Sequence, residues 1–332
     1  MVASGSRWRL TALRIAPLLL FVAVVVLFTA MSPKFLTPQN FANIVAQAAH
    51  VAIIAIGMTF VLLIAGIDLS VGAAMYVSGA ILLLYVPHAP VLAGLLVMAL
   101  LGGLFGAVNA AFIVGLRIAA FITTLATVFI GRGYALYLSE TRNIADSDAM
   151  LAFGQGRCFG IAWAVWVFVA VFLVALWLER STPFGRYLFA IGADPEAARK
   201  AGIPVKRTVF AVYVLSGLFA GIGGYVSASQ IGVVSATFGL QKEFPVIAAA
   251  VLGGTSLFGG RGSVLGSVFG AILIQTVQNG LVLIDANPYV YPIIIGSIIF
   301  VAVLIDSIRT RVLERLTRRQ IRLEPQTRGA AG

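Results

Sequence analysis

The sequence predicts an all-α, polytopic membrane protein of about ten transmembrane helices, some of them interrupted. Three observations carry this. Hydrophobic residues make up 60% of the 332 positions and charged residues only 11%, less than half the roughly 25% typical of soluble domains. Mean hydropathy is +1.02. The apolar residues also fall in long runs broken by glycine, the pattern of membrane helices. A single cysteine, Cys158, excludes an internal disulfide or a cysteine metal site. With only His50 and His88, a histidine metal centre has no basis either.

The spans follow in order. The first, 15–31, comes after Arg7, Arg9 and Arg14 and exceeds the roughly 7–15 apolar residues of a cleaved signal peptide. It is read as an uncleaved span. The others are 44–65, 69–86, 90–116, 119–138, 161–178, 208–227, 244–259, 262–284 and 289–306, mostly within the roughly 17–25 residues that cross hydrocarbon. Segment 244–259 is short and interrupted by Gly253, Gly254 and Gly259. An even count puts both termini on one side.

Charge orients the bundle. Of the 23 basic residues, only Lys34, Arg142, Arg157 and Lys242 fall on the far side, and Arg132 alone falls within a span. The remainder lie on the side of the N-terminus, which is therefore cytoplasmic. The net charge of +11 is topological, so nucleic acid is not the partner. One membrane domain occupies 1–332: a cytoplasmic N-terminus 1–14, the membrane region 15–306 with a cytoplasmic loop 179–207, and a basic tail 307–332, read as a short helix that frays. Ser70-Val71-Gly72 with Gly79-Ala80-Ile81-Leu82 is faintly repeated by Ser263-Val264 with Gly270-Ala271-Ile272-Leu273.

The stretch Leu62–Met75 places Asp68 in an apolar run between Gly66 and Gly72, beside Ser70. A charge at mid-membrane costs roughly 2.5–3.5 kcal/mol on insertion scales. Gly66 lets the chain turn, and Asp68 caps a helix starting at Leu69 by accepting backbone N–H bonds. Broken helices expose polar backbone only where it is buried in protein or lines a cavity. Asp68 is thus both a structural cap and a candidate for the wall of a solute path.

These residues carry a resemblance. Gly66-Ile67-Asp68-Leu69-Ser70-Val71-Gly72 resembles the hallmark stretch of bacterial ABC importer permeases for monosaccharides, of the ribose, xylose and arabinose type. Ala119-Ala120-Phe121-Ile122-Thr123-Thr124-Leu125 is similar to that family's Pro-Ala-Phe-Ile segment, with Ala119 where proline is usual. Ala190–Arg199 resembles its cytoplasmic loop, and Val251–Ser256 with Gly259-Gly260-Arg261-Gly262 its late glycine motif. Gln241–Pro245 departs from the usual Glu-Leu-X-Ala-Ile. The resemblance implies a permease subunit in the bacterial inner membrane. It further implies a second permease copy (a homodimer, or a paralogous permease), a cytoplasmic ATP-binding subunit and a periplasmic solute-binding protein.

Within 179–207 the local signals are sharp. Asp194 suits an N-cap, Pro195 the first helical position and Glu196 the first turn. Arg199 and Lys200 oppose the carbonyl end, and Gly202 stops the helix before Pro204. Ala197, Ala198 and Ala201 supply small-residue surface. So short a helix is marginal in water, so something packs on it: its own loops or another protein. The resemblance implies the latter, a coupling helix docked in an ATPase groove. No Gly-x-x-x-x-Gly-Lys-[Ser/Thr] motif occurs here. The chain is accordingly not an enzyme and binds no cofactor; ATP and Mg belong to the partner.

Polar residues within spans are the remaining path candidates: Asn109, Thr123, Thr124 and, in span nine, Gln275, Gln278 and Asn279, with Phe121 beside them. Gln275 and Asn279 share one helix face. Neutral amides and hydroxyls suit an uncharged, hydroxyl-rich solute, but each equally suits an interhelical hydrogen bond, worth about 0.6 kcal/mol on average in membranes. Gly66, Gly72, Gly253, Gly254, Gly259 and Gly260 are structural glycines. The alternative function is an ion-coupled secondary transporter. It would need embedded ionisable groups, and Asp68 and Arg132 are almost the only ones.

Overall fold

A computed structural model describes residues 4–301 with 303, 304 and 307, and side chains from Leu18 onward. The basic tail thus lies outside the described residues apart from Ser307. The helices are α1 (Ser4–Met31), α2 (Pro38–Leu63), α3 (Val71–Tyr85), α4 (Val91–Ala110, continued by a π-helical turn Ala111–Gly115), α5 (Ala120–Ser139), α6 (Asp148–Gln155), α7 (Trp163–Ser181), α8 (Pro183–Ala193), α9 (Pro195–Lys200), α10 (Val205–Ile231), α11 (Glu243–Leu252), α12 (Val264–Leu283) and α13 (Val290–Val301). Two-residue antiparallel ribbons join β1 (Ile144–Ala145) to β4 (Val233–Val234), and β2 (Arg157–Cys158) to β3 (Ile161–Ala162).

Six of these helices are long and apolar enough to cross a membrane: α2, α4 with its π turn, α5, α7, α10 and α12. The chain is a multi-pass membrane protein. Shorter apolar helices, Leu18–Met31, α3, α11 and α13, fall on the four other segments. Two expectations need correction. The third helix begins at Val71, not at 69, and the eighth segment is helical only over Glu243–Leu252. Ten residues rise about 15 Å, half of a hydrocarbon core of about 30 Å. The glycines that follow end the helix: Gly254 adopts φ +89°, with Thr255 N–H donating to Ala250 O at 3.0 Å and Gly254 N–H to Val251 O at 2.8 Å.

α2 is the axis of the molecule. Thr37 accepts from Asn40 N, Pro38 takes the first helical position, and every residue from 51 to 64 is buried. A helix apolar all round is one enclosed all round. It packs against α10, α12, α11 and α7. The outer helices differ: α4 turns Leu92, Leu96, Leu100 and Leu104 outward, spaced four apart on one stripe as a lipid face would be. α4 and α10 pack most extensively. Carbonyl oxygens of Gly217 and Tyr213 occupy the space that a Cβ on Gly102 or Gly106 would need, so these small residues set the interhelical distance.

The bundle has two ends. One carries α9, the C-terminal end of α2, and the turn between α11 and α12. The other carries both ribbons, α6, and the C-terminal ends of α3 and α10.

Candidate translocation and coupling sites

Asp68 sits in the extended segment between α2 and α3, 1% exposed. Its Oδ1 accepts from Ser70 N–H at 2.9 Å and from Ser70 Oγ at 2.6 Å, and Oδ2 accepts from Ser216 Oγ of α10 at 2.7 Å. Asn109 Nδ2 of α4 donates to Ser70 Oγ at 2.7 Å, and Thr127 Oγ1 of α5 donates to Asn109 Oδ1 at 2.8 Å. The α2–α3 segment, α4, α5 and α10 are therefore joined by one chain of hydrogen bonds that ends on this carboxyl group. Asp68 does not cap a helix starting at Leu69 as expected; it closes a turn onto the Ser70 amide, and the helix starts at Val71, two residues later.

The turn itself also departs from expectation. Ala65, not Gly66, takes the left-handed conformation, φ +57°. Gly66 N–H donates to Val61 O and Ala65 N–H to Leu62 O, both at 2.9 Å, the paired bonds that end a helix. Gly66 is required for another reason: an added Cβ would stand 2.6 Å from Tyr213 Oη.

α3 and α11 begin beside each other and run apart. A Cβ on Gly72 would overlap the Gly239 carbonyl and lie 3.1 Å from Glu243 Oε2. From there α3 runs to the ribbon end and α11 to the α9 end. Discontinuous helices whose starts converge inside the bundle are a recurring way to form a solute site.

The remaining path candidates are distributed differently. Thr124 Oγ1 donates to Ala120 O at 2.9 Å, while Thr123 Oγ1, buried, has no partner among the described residues. Phe121 is half exposed. Gln275 Nε2 donates to Gln47 Oε1 at 3.0 Å, and Asn279 and Asn40 exchange amide bonds at 3.0 and 2.9 Å. Both pairs hold α12 to α2. Gln278 is half buried with no side-chain bond among the described residues. A cavity of about 440 Å³ at the ribbon end, lined by Pro87, His88 and 145–149, includes none of them. Sequence reasoning missed Ser216, Thr127, Tyr213, Asn40 and Gln47; polar side chains at helical spacing in apolar spans were the available signal.

At the other end, Asp194 Oδ1 accepts from Glu196 N–H at 2.8 Å and Ala197 N–H at 3.0 Å, and Gly202 adopts φ +81°. Ile203 N–H donates to Ala198 O at 3.1 Å, closing the helix end. Every residue of α9 is exposed except Ala198, 4%. The small surface it offers is therefore Ala197 and Ala201, not all three alanines. Glu196 and Arg199 pair at 3.4 Å, both exposed, a contact of small worth. Behind α9, Gly260 N–H donates to Leu63 O at 2.9 Å, and Gly192 packs on both. Glu179, buried at the end of α7, accepts the first amide of α12, Val264 N–H, at 3.1 Å. Ser263 Oγ adds a cap to Gly266 N–H at 3.0 Å.

A multi-pass bundle with broken helices, a sealed polar junction and an exposed short helix on one face defines a membrane permease. The family described as "Branched-chain amino acid transport system / permease component" matches residues 40–303, and the chain belongs to it. It is similar to the ribose import permease protein RbsC of Haemophilus influenzae, 36% identical over 86% of this chain and 92% of the relative. The D-allose transport system permease protein AlsC of Escherichia coli is 34% identical over 86% and 89%. The fructose import permease protein FrcC of Rhizobium meliloti is 35% identical over 88% and 84%. This chain is a translocation subunit of an ABC importer, not its catalytic subunit. Its partners are an ATPase and a solute-binding protein.

Proposed function

We propose that this permease carries a monosaccharide across the bacterial inner membrane, with ten spans, both termini cytoplasmic and a second permease copy enclosing the path. The carrying observation is identity near 35% across most of the chain to relatives named for ribose, allose and fructose. Support for the path comes from the adjoining starts of α3 and α11 beside the Asp68–Ser70–Asn109–Thr127 cluster. Its hydroxyls and amides match a solute with hydroxyls and no charge. In this reading α9 docks in the ATPase and the binding protein meets the ribbon end.

The test is reconstitution in vesicles with ATPase and binding protein, scoring uptake of ribose, allose, fructose and galactose. ATP-dependent uptake of one is expected. Glu196→Arg and Arg199→Glu, both on exposed α9, should leave insertion intact and separate ATP hydrolysis from uptake. Concentrative uptake by the permease alone would overturn the reading, as would full coupling in both variants.

A further inference from the structure

We infer that Gly192 is the joint through which displacement of α9 reaches the Asp68 junction; this rests on the reading of α9 as the docking helix. α8 ends at Ala193 and α9 begins at Pro195, so a single residue, Asp194, separates Gly192's helix from α9's. Asp194 N–H also donates to Ala190 O at 3.1 Å, so α9 is tied back to α8. α8 itself is anchored by buried Leu188 and Ile191.

Against Gly192 lie two backbone groups already bonded to each other, Leu63 O and Gly260 N–H, at 2.9 Å. A Cβ on Gly192 would overlap both. The next residues repeat the contact: a Cβ on Gly259 would stand 2.9 Å from Ala65 Cβ and Gly192 O, and one on Gly260 3.2 Å from Ala193 N. Three chain segments thus touch by backbone: the end of α8, the end of α2 and the turn after α11. Contacts between backbones have no rotamers to absorb a shift, and packed interiors transmit strain. Leu63 is the last residue of α2, and the segment it opens holds Asp68. The turn at Gly260 leads directly to α12, whose first amide is held by Glu179. A push on α9 therefore moves the ends of α2, α11 and α12 as one body.

The complete transporter, with ATPase and binding protein, tests this. Gly192→Ala should insert and copurify with the ATPase, retain ATP hydrolysis and lose about tenfold in uptake per ATP. Gly115→Ala, where an added Cβ has no neighbour within 4 Å, should leave the ratio unchanged. Hydrogen exchange on the wild-type complex supplies a second measurement that needs no variant. Trapping the transporter with ADP and vanadate, the state formed after ATP cleavage, should alter exchange across 64–70 while the Gly260 amide stays protected. An unchanged uptake-to-hydrolysis ratio in Gly192→Ala would overturn the joint, and so would loss of Gly260 protection on trapping. If Glu196→Arg and Arg199→Glu also remain fully coupled, the docking reading fails instead.

Discussion

The two ends of the bundle differ in what they enclose. At the α9 end, three chain segments meet backbone to backbone through Gly192, Gly260 and Leu63. At the ribbon end, two-residue ribbons and α6 surround a cavity of about 440 Å³. There the buried Asp146 leaves both carboxylate oxygens without a partner among the described residues, and Phe159 is 92% exposed. On the proposed reading the difference has a use: a surface that receives force gains from stiffness, whereas a surface that admits a partner or solute can keep room. Substitutions in the tightly packed interior should therefore cost more than those beside the cavity.

Asp68→Ala gives the largest expected effect. It strips the acceptor from Ser216 Oγ and from both Ser70 donors, leaving buried polar groups unpaired, for a loss of about 2–4 kcal/mol. Thermal unfolding in detergent checks it; a wild-type midpoint would remove the contrast between the packed interior and the ribbon end. Next comes the Asn40–Asn279 pair nearer the ribbon end. A double-mutant cycle of Asn40→Ala and Asn279→Ala should return a coupling of about 0.6–1.7 kcal/mol, and a value matching the Asp68 loss would erase the ranking. The last effect is one of pH and belongs to Asp146, whose carboxyl burial pushes up to about 6. The unfolded value is about 3.9, so the folded state holds the proton more tightly, and stability falls as pH rises from about 4 through 6. Asp146→Asn should match wild type near pH 4 and unfold at higher temperature than wild type at pH 7.5. Parallel pH curves for the two proteins would show that the carboxyl is not the cause.

Much of this architecture was legible because its causes are local. Asp194, Pro195 and Gly202 specify α9 within nine residues, and the apolar runs mark the helices without reference to one another. Asp68 was visible as an anomaly, but its partner Ser216 lies 148 residues away, and nothing in a single sequence pairs them. The same holds for Gln275 with Gln47 and Asn279 with Asn40: spacing gave a shared face, not what the face meets. Gly66 misled because glycine suggests a turn by flexibility, whereas here Ala65 makes the left-handed turn and Gly66 yields space to Tyr213. Ala198 was counted on the free side of α9 because a helix two turns long carries too little pattern to orient it.

The junction around Asp68 has an electrical consequence. Its other members, Ser70, Ser216, Asn109 and Thr127, are all neutral, so parting them while the Asp68 side chain stays in place shifts no net charge through the membrane field. Moving one elementary charge through 100 mV is worth about 2.3 kcal/mol. An opening confined to these bonds would escape that term.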